Sequence, residues 1–573
     1  MPHFRAHATI VWLTTLGLLV ACRASDSALP GEGQPDAGAS PEPTGQPATP
    51  PVTLRVATGQ PPGSLDPARV SLSDVTGYDL VDNLYVGLTE LDPATNSVQP
   101  ALATTWTVSP DGLRWNFTLR DDVTWVAFDP AANAVTALRP VTADDVVHAI
   151  HRACHPATDA PQAAILFVIR GCREVNNTDP AQLTGQTLAD TIRVRADSPT
   201  SVTIELERQA APFLSLTALP ILRPVAPEAF ADEGAEWRDG GLMASSGPWV
   251  IAGEDPGQSL TLVANPEWPF EREGEAGAVE VHFAPGTALV AFQSGAVDAA
   301  TLPDEEAGNA SLLRAEPRVT FLAFASDQFP MDEVRVRRAL AAAIDRERIV
   351  DRVLGGDGLP TAGFVPPGMV AAPPTAGQPA ATFNVEFARQ QMAGAGYPRC
   401  QLFPRVTLAI DESAQSKALA EALVRMWQDN LGCNDTRFDV QPTDMRLLLE
   451  SVNTPLAADW QTRPHITLLT WQADYPDAHN WLADVLHCEQ GYLQLGRSCD
   501  VVDDLMERAA RENNPDARAA LYAETEALLF DEDGLQPIAP IYTHVQPLAV
   551  APGVELPAQA PARFDRWQIG GAE

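Results

Sequence analysis

"PALATTWTVSPDGLRWNFTLRDDVTW", residues 100–125, carries apolar side chains at every second position on the far side of one turn signal. Trp115, Phe117 and Leu119 alternate with Asn116 and Thr118, the period of a half-buried strand. Pro110-Asp111-Gly112 supplies the turn before it, so the stretch reads as a β-hairpin region. Directly downstream, "VTADDVVHAIHRACH" (141–155) changes period: Thr142 is placed to cap a helix, and Val146, Ile150 and Ala153 share one face.

The same alternation recurs outward from this point. "TLRVA" (53–57) is a short strand, "TIRVRADSPTSVTIEL" (191–206) is strand, turn and strand, and "ASSGPW" (244–249) leads into another hairpin. From Val279–Phe283 onward, strands alternate with helices. The clearest is "DEVRVRRALAAAIDRERIVDRVL" (332–354), read as one helix with Val336, Leu340, Ile344, Val350 and Leu354 in a stripe. Helices at 385–397 and 415–432 follow, then a buried strand "HITLLTW" (465–471). A helix capped by Asp500, another at 517–530 and the terminal run 538–550 complete the chain. Strands mixed with helices in this order predict an α/β fold.

The chain has 573 residues, enough for more than one domain, and carries 75 acidic against 38 basic side chains. A formal charge of -37 repels a phosphate backbone, so nucleic acid is excluded as a partner; the acidity reads first as a solvated surface that prevents self-association, with attraction of a small cationic solute as the alternative. The first 21 residues read as a signal peptide, with Arg5 before an apolar run from Thr9 to Ala21 that is too short to span a bilayer. Residues 22–52 are Pro, Gly, Ala and Ser-rich, a tether unable to offset its own ordering entropy. Six cysteines beyond Cys22, an even number, predict disulfides in an exported protein. Short loops close most easily, which favours Cys154 with Cys172, Cys400 with Cys433, and Cys488 with Cys499.

Nine segments stand in an order that resembles the family 5 solute-binding proteins, the oligopeptide/dipeptide-binding components of ABC importers. They are "LDPA" (65–68), "NLYVGLTELDP" (83–93), the opening stretch, "VTADDVVHAIHR" (141–152), "SSGPWVI" (245–251), "SGAVDAA" (294–300), "VRRALAAAIDRERIV" (336–350), "AGAGYP" (393–398) and "WQADYPDAHNWL" (471–482). "LVAC" at 19–22 also resembles a lipobox, which would make Cys22 the lipidated residue.

The resemblance implies a two-lobed periplasmic-binding-protein type II fold with an extra subdomain inserted in the first lobe. Lobe I is expected from 53–90, 191–285 and 535–573, the insertion from 91–190 and lobe II from 286–534. It implies an extracytoplasmic receptor, a monomer, held to the membrane by its N-terminal lipid. Its partners would be a peptide or peptide-like solute and ABC permease subunits with their ATPase. A nickel chelate, an opine, an oligosaccharide or a peptide-sensing co-receptor role stays open on the same scaffold.

In peptide-binding relatives the Trp-x-Ala-Asp quartet supplies the carboxylate for the peptide's α-amino group, which implies that role for Asp474, with Trp471, Gln472 and Tyr475 as contacts. The competing reading of Asp474 is a cap on the turn before Tyr475-Pro476. Just before "SLDP" (64–67), where relatives offer main-chain contacts, Pro61 and Pro62 have no N–H to donate. His148, His151, Cys154 and His155 share a helical face, but a surface face is expected there rather than a metal site. No metal and no cofactor are expected, and the usual hydrolase, metalloprotease and P-loop motifs are absent, so no catalysis is expected.

Overall fold

The computed structural model describes residues 52–95, 97–230, 243–374, 376, 383–453, 463–557 and 563–570. The signal peptide, Cys22 and the tether up to residue 51 lie outside the described residues.

A mixed eleven-stranded sheet organises the chain. At its centre Val52–Thr58 lies parallel to Ala276–Phe283, which continues antiparallel to Ser259–Ala264 and Trp249–Asp255. On the other side Ala299–Thr301 leads to Ile538–Val550, then Leu312–Phe324, Ile466–Gln472, Val406–Ile410 and Phe438–Pro442. Two of these strands, Leu312–Phe324 and Ile538–Val550, have 13 residues each and so run roughly 40 Å. They pair antiparallel, with a register irregularity between Ala315 and Val319, where Pro317 removes a ladder donor. These two strands carry the sheet from one apolar core to the next. One core gathers residues from Leu54 to Ala299 with Phe564 and Trp567, and two others gather residues from Val319 to Tyr542.

The opening stretch forms the expected hairpin. Ala103–Val108 pairs with Arg114–Leu119 around Gly112, whose φ of +69° suits glycine. Arg114–Leu119 also pairs with Ser201–Glu205, so this four-stranded sheet draws on residues on both sides of 190. The helix Ala143–Cys154 begins at Thr142. Its Asp145 accepts the Thr142 N–H at 2.9 Å, the Trp125 indole N–H at 3.1 Å and a two-pronged contact from Arg139 at 2.8 and 2.9 Å. The segments "VTW" and "VTADD" are therefore bound to each other through one buried carboxylate.

Two expectations are corrected. The helix read over 332–354 is two, Val334–Ala342 and Arg346–Arg352, because Asp345 takes the Arg348 N–H at 3.0 Å and starts a new turn. The face bearing His148, His151, Cys154 and His155 is not a surface: His151 and His155 are buried, and His148 packs on Phe230. The short helix Cys172–Asn176 returns to the end of this helix, joined by the Cys154–Cys172 disulfide and by Asn176, which donates to the Cys154 carbonyl at 3.2 Å. Burial, then the nearby His148, lowers the His151 imidazole to about 4.

The structure joins Cys154 to Cys172, Cys400 to Cys433 and Cys488 to Cys499, with Cα–Cα separations of 5.3, 4.8 and 5.2 Å. The first closes 18 residues, so Cys154→Ala with Cys172→Ala should cost ~3 kcal/mol on the loop-entropy model. A urea midpoint unchanged by that double substitution would contradict it.

The long strands carry a second checkable feature. His544 Nε2 lies 2.8 Å from Thr320 Oγ1, which lies 2.7 Å from Thr470 Oγ1, linking three neighbouring strands. Burial, then Arg318, pushes this imidazole from 6.5 down to about 3. The folded chain thus holds it neutral where the unfolded chain protonates it. Its contribution to stability is complete above pH 6.5 and is lost as the pH falls toward 3. His544→Gln should flatten the loss of stability between pH 6.5 and pH 4, read from urea midpoints across ~pH 4–7. An unaltered slope would sink this account.

Candidate functional site

The strand Ile466–Gln472 is buried through Leu469 and pairs with Leu312–Phe324 from Arg318↔Gln472 to Phe324↔Ile466. Beyond it the chain turns, and Asp477 starts the helix Ala478–Leu486 by accepting the His479 N–H at 3.0 Å. Ala473 donates to the Pro317 carbonyl at 2.9 Å, which fixes this turn against the irregularity in the long strand.

Asp474 sits in that turn, partly buried. Its main-chain N–H donates to Asn480 Oδ1 at 3.0 Å, and its Oδ2 accepts from Asn480 Nδ2 at 3.2 Å. Among the described residues no basic side chain forms an ion pair with it. Burial raises its pKa; the Asn480 hydrogen bond opposes this and the Asp484 charge adds to it. Gln162 reaches across from the hairpin-rich half to its carbonyl at 3.4 Å.

The other residues of the quartet separate. Gln472 is exposed and donates to the Leu72 carbonyl at 3.2 Å. The Trp471 indole N–H donates to Asn480 Oδ1 at 3.2 Å, with its ring 5.4 Å from that of Tyr492. Tyr475 goes into the core: its ring is buried among residues of the hairpin-rich half, and its hydroxyl donates to Asp484 Oδ2 at 2.5 Å. Burial, then Asp484 and Asp477, holds that phenol well above its ordinary range. Asp477 is fully buried, paired with Arg518 at 2.8 Å and accepting from Ser215 at 2.7 Å. Among the described residues, of the three aspartates in this stretch and its helix, Asp477 has an arginine, Asp484 has only His479 at 3.6 Å, and Asp474 has no cation.

Sequence reasoning missed Asn480 and Asp484, which lie at positions 6 and 10 after Asp474. Their spacing of four on one helix was the available signal. It also missed a cavity of about 270 Å³ at the end of Val52–Thr58, walled by Thr58, Asp79, Arg314, Gln546, Phe564 and Trp567. Arg314 lies 3.6 Å from Asp79 and donates to Gln546 there. None of Trp471, Gln472, Asp474 and Tyr475 lines that cavity. Gly63 and Ser64, after the two prolines, give their N–H groups to Asp74 at 2.8 and 3.3 Å. The Cys154 and Cys488 sulfurs are held in disulfides, so neither is a thiolate ligand for a metal.

The model of the bacterial extracellular solute-binding proteins, family 5, middle region, matches residues 97–492. The chain belongs to this family. It is 24% identical over 552 residues to the oligopeptide-binding protein OppA of Bacillus subtilis, covering 93% of each chain. It is 26% identical over 524 residues to the probable deoxycholate-binding periplasmic protein YgiS of Escherichia coli, covering 88% of this chain and 90% of that one. Among solved structures, the periplasmic murein tripeptide-binding protein MppA in an unliganded open form matches with a TM-score of 0.75 at 24% identity, covering 90% of this chain and 96% of that one. The mixed α/β fold of this family 5 chain is that of the periplasmic binding proteins. No helix among its described residues is long and apolar enough to cross a membrane.

Proposed function

We propose that this chain is an extracytoplasmic receptor that captures peptides by their α-ammonium group at Asp474 and delivers them to an ABC permease. The observation that carries this is a partly buried carboxylate, oriented by hydrogen bonds and with no cation beside it among the described residues. Removing a carboxylate from water without a counter-charge is costly, so the site gains most from a ligand that brings one. Gln472 and Trp471 flank the anchor as contacts for the first residues of a ligand. The long strands Leu312–Phe324 and Ile538–Val550 serve as the hinge. In this reading lobe I comprises 53–90, 191–285 and 535–573, with 91–190 inserted and tied to it by the pairing of Arg114–Leu119 with Ser201–Glu205, and lobe II comprises 286–534. Cys22 carries the lipid, the residues after it up to 51 are the tether, Val52 already belonging to the central strand, the receptor is a monomer, and no bond of the cargo is broken.

A non-peptide solute is the second reading, favoured by the name of the Escherichia coli deoxycholate-binding relative. An anionic steroid would meet Asp474 and Asp484 as like charges, which favours the peptide. Mass spectrometry of ligand released from the purified, unrefolded protein should find peptides with free amino termini. Steroid, lipid or sugar in their place would replace the peptide reading.

A further inference from the structure

Asn480 is buried, and its amide uses every hydrogen-bonding position it has. Oδ1 accepts from two groups that can only donate, the Asp474 N–H at 3.0 Å and the Trp471 indole N–H at 3.2 Å. Nδ2 donates to two carboxylate oxygens, Asp474 Oδ2 and Asp484 Oδ2, each at 3.2 Å. The amide cannot be reversed without setting donor against donor and acceptor against its own oxygen. One buried side chain thus orients the candidate anchor and tethers a second carboxylate to it.

We propose that Asn480 and Asp484 are opposed positioning residues of the binding anchor. Asn480 fixes the Asp474 carboxylate in its charged, ligand-ready orientation, and Asp484 holds a second negative charge beside it, strengthening the demand for a cation. This rests on the reading of Asp474 as an ammonium anchor. It extends that reading to two residues that lie beyond the quartet. The groups facing the anchor come from several elements. Asp484 and His479 stand on the following helix, and Tyr475 donates to Asp484 from the turn. From the helix Pro515–Phe530, Tyr522 lies 2.8 Å from His479 Nδ1 and Arg518 neutralises Asp477. Gln162 and Ser215 approach from the hairpin-rich half, the first at the Asp474 carbonyl and the second at Asp477. Arg518 is committed to Asp477, which leaves His479 as the one titratable base beside the carboxylate pair among the described residues.

A hydrogen bond to a carboxylate favours its charged form and a neighbouring like charge disfavours it, so the two residues act with opposite sign on Asp474. The test is a carbon-13 NMR titration of the Asp474 carboxyl in the wild type, Asn480→Ser and Asp484→Asn, with aspartate labelling assigned through Asp474→Asn. Asn480→Ser should move the midpoint up in pH and Asp484→Asn should move it down. Shifts of the same sign, or none, would overturn the proposal. Asp484 is partly exposed and Asn is its isostere, so Asp484→Asn keeps the test decisive if Asn480→Ser does not fold.

Calorimetry adds a second readout that a merely structural role would not move. The ratio of affinities for trialanine and N-acetyl-trialanine should fall about tenfold in Asn480→Ser, the scale of one charge-assisted hydrogen bond. A ratio equal to that of the wild type would count against Asn480. If the wild type itself does not distinguish the two peptides, the ammonium reading fails, while the NMR shifts still decide whether Asn480 and Asp484 control this carboxylate.

Discussion

Asp66→Asn should destabilise the protein by ~4 kcal/mol, the scale for breaking a buried ion pair by removing one partner. Asp66 and Arg152 are both fully buried, and the guanidinium meets the carboxylate with two contacts, at 2.6 and 2.8 Å. The Arg152 guanidinium also stacks 4.1 Å over the Phe230 ring. The pair unites "LDPA" with the end of "VTADDVVHAIHR", two segments 86 residues apart that had no evident reason to occur together. Asparagine fits the same space and still offers an oxygen to the Ala68 N–H, but it leaves the arginine charge without its anion. The cost should appear as a lowered urea midpoint. Asp66→Leu with Arg152→Met should recover much of it, since neither member of the fully buried pair is then left without the other, and Arg69, 3.9 Å from Asp66, is partly exposed to water. A single variant as stable as the wild type would show that the pair is not what unites these segments.

Asp474→Asn should weaken binding of a free-amine peptide by ~2–5 kcal/mol, a loss of roughly 30-fold or more. The substitution keeps the shape and one acceptor, so stability should hardly change. The charge is what goes, and with it the counter-ion for the ammonium. Asp477→Asn is the matched control on the same turn. Its charge is consumed by Arg518, so its effect should fall on stability, seen as a lower unfolding midpoint, rather than on discrimination between free and acetylated peptides.

The sequence was most legible where one period rules. The alternation through Trp115, Phe117 and Leu119 and the helical stripe after Thr142 each bury one face, so pattern and structure agree. Leu312–Phe324 escaped because Arg314, Glu316, Pro317 and Arg318 interrupt its alternation at the point where it crosses between the two halves of the sheet. Arg314 lines the cavity and Pro317 falls at the register irregularity, and periodicity registers neither. The break at Asp345 was hidden because the apolar stripe runs across it, while a single side-chain cap decides where a helix stops.

The anchor was legible only in part. Asp474 was visible because a motif pointed to it, but three acidic residues in a row of loop and helix look alike until their partners are known. Arg518 lies 41 residues beyond Asp477, and Gln162 lies 312 residues before Asp474. Only the folded chain shows that one aspartate is neutralised, one is tethered and one has no cation beside it among the described residues.

The central claim, that a ligand's α-ammonium pairs with Asp474, is tested most directly by calorimetry on the wild type with one tripeptide in free and N-acetylated forms. The account predicts that acetylation, which removes the positive charge and changes little else, abolishes measurable binding or weakens it by at least ~30-fold. Equal affinity for the two forms would contradict it.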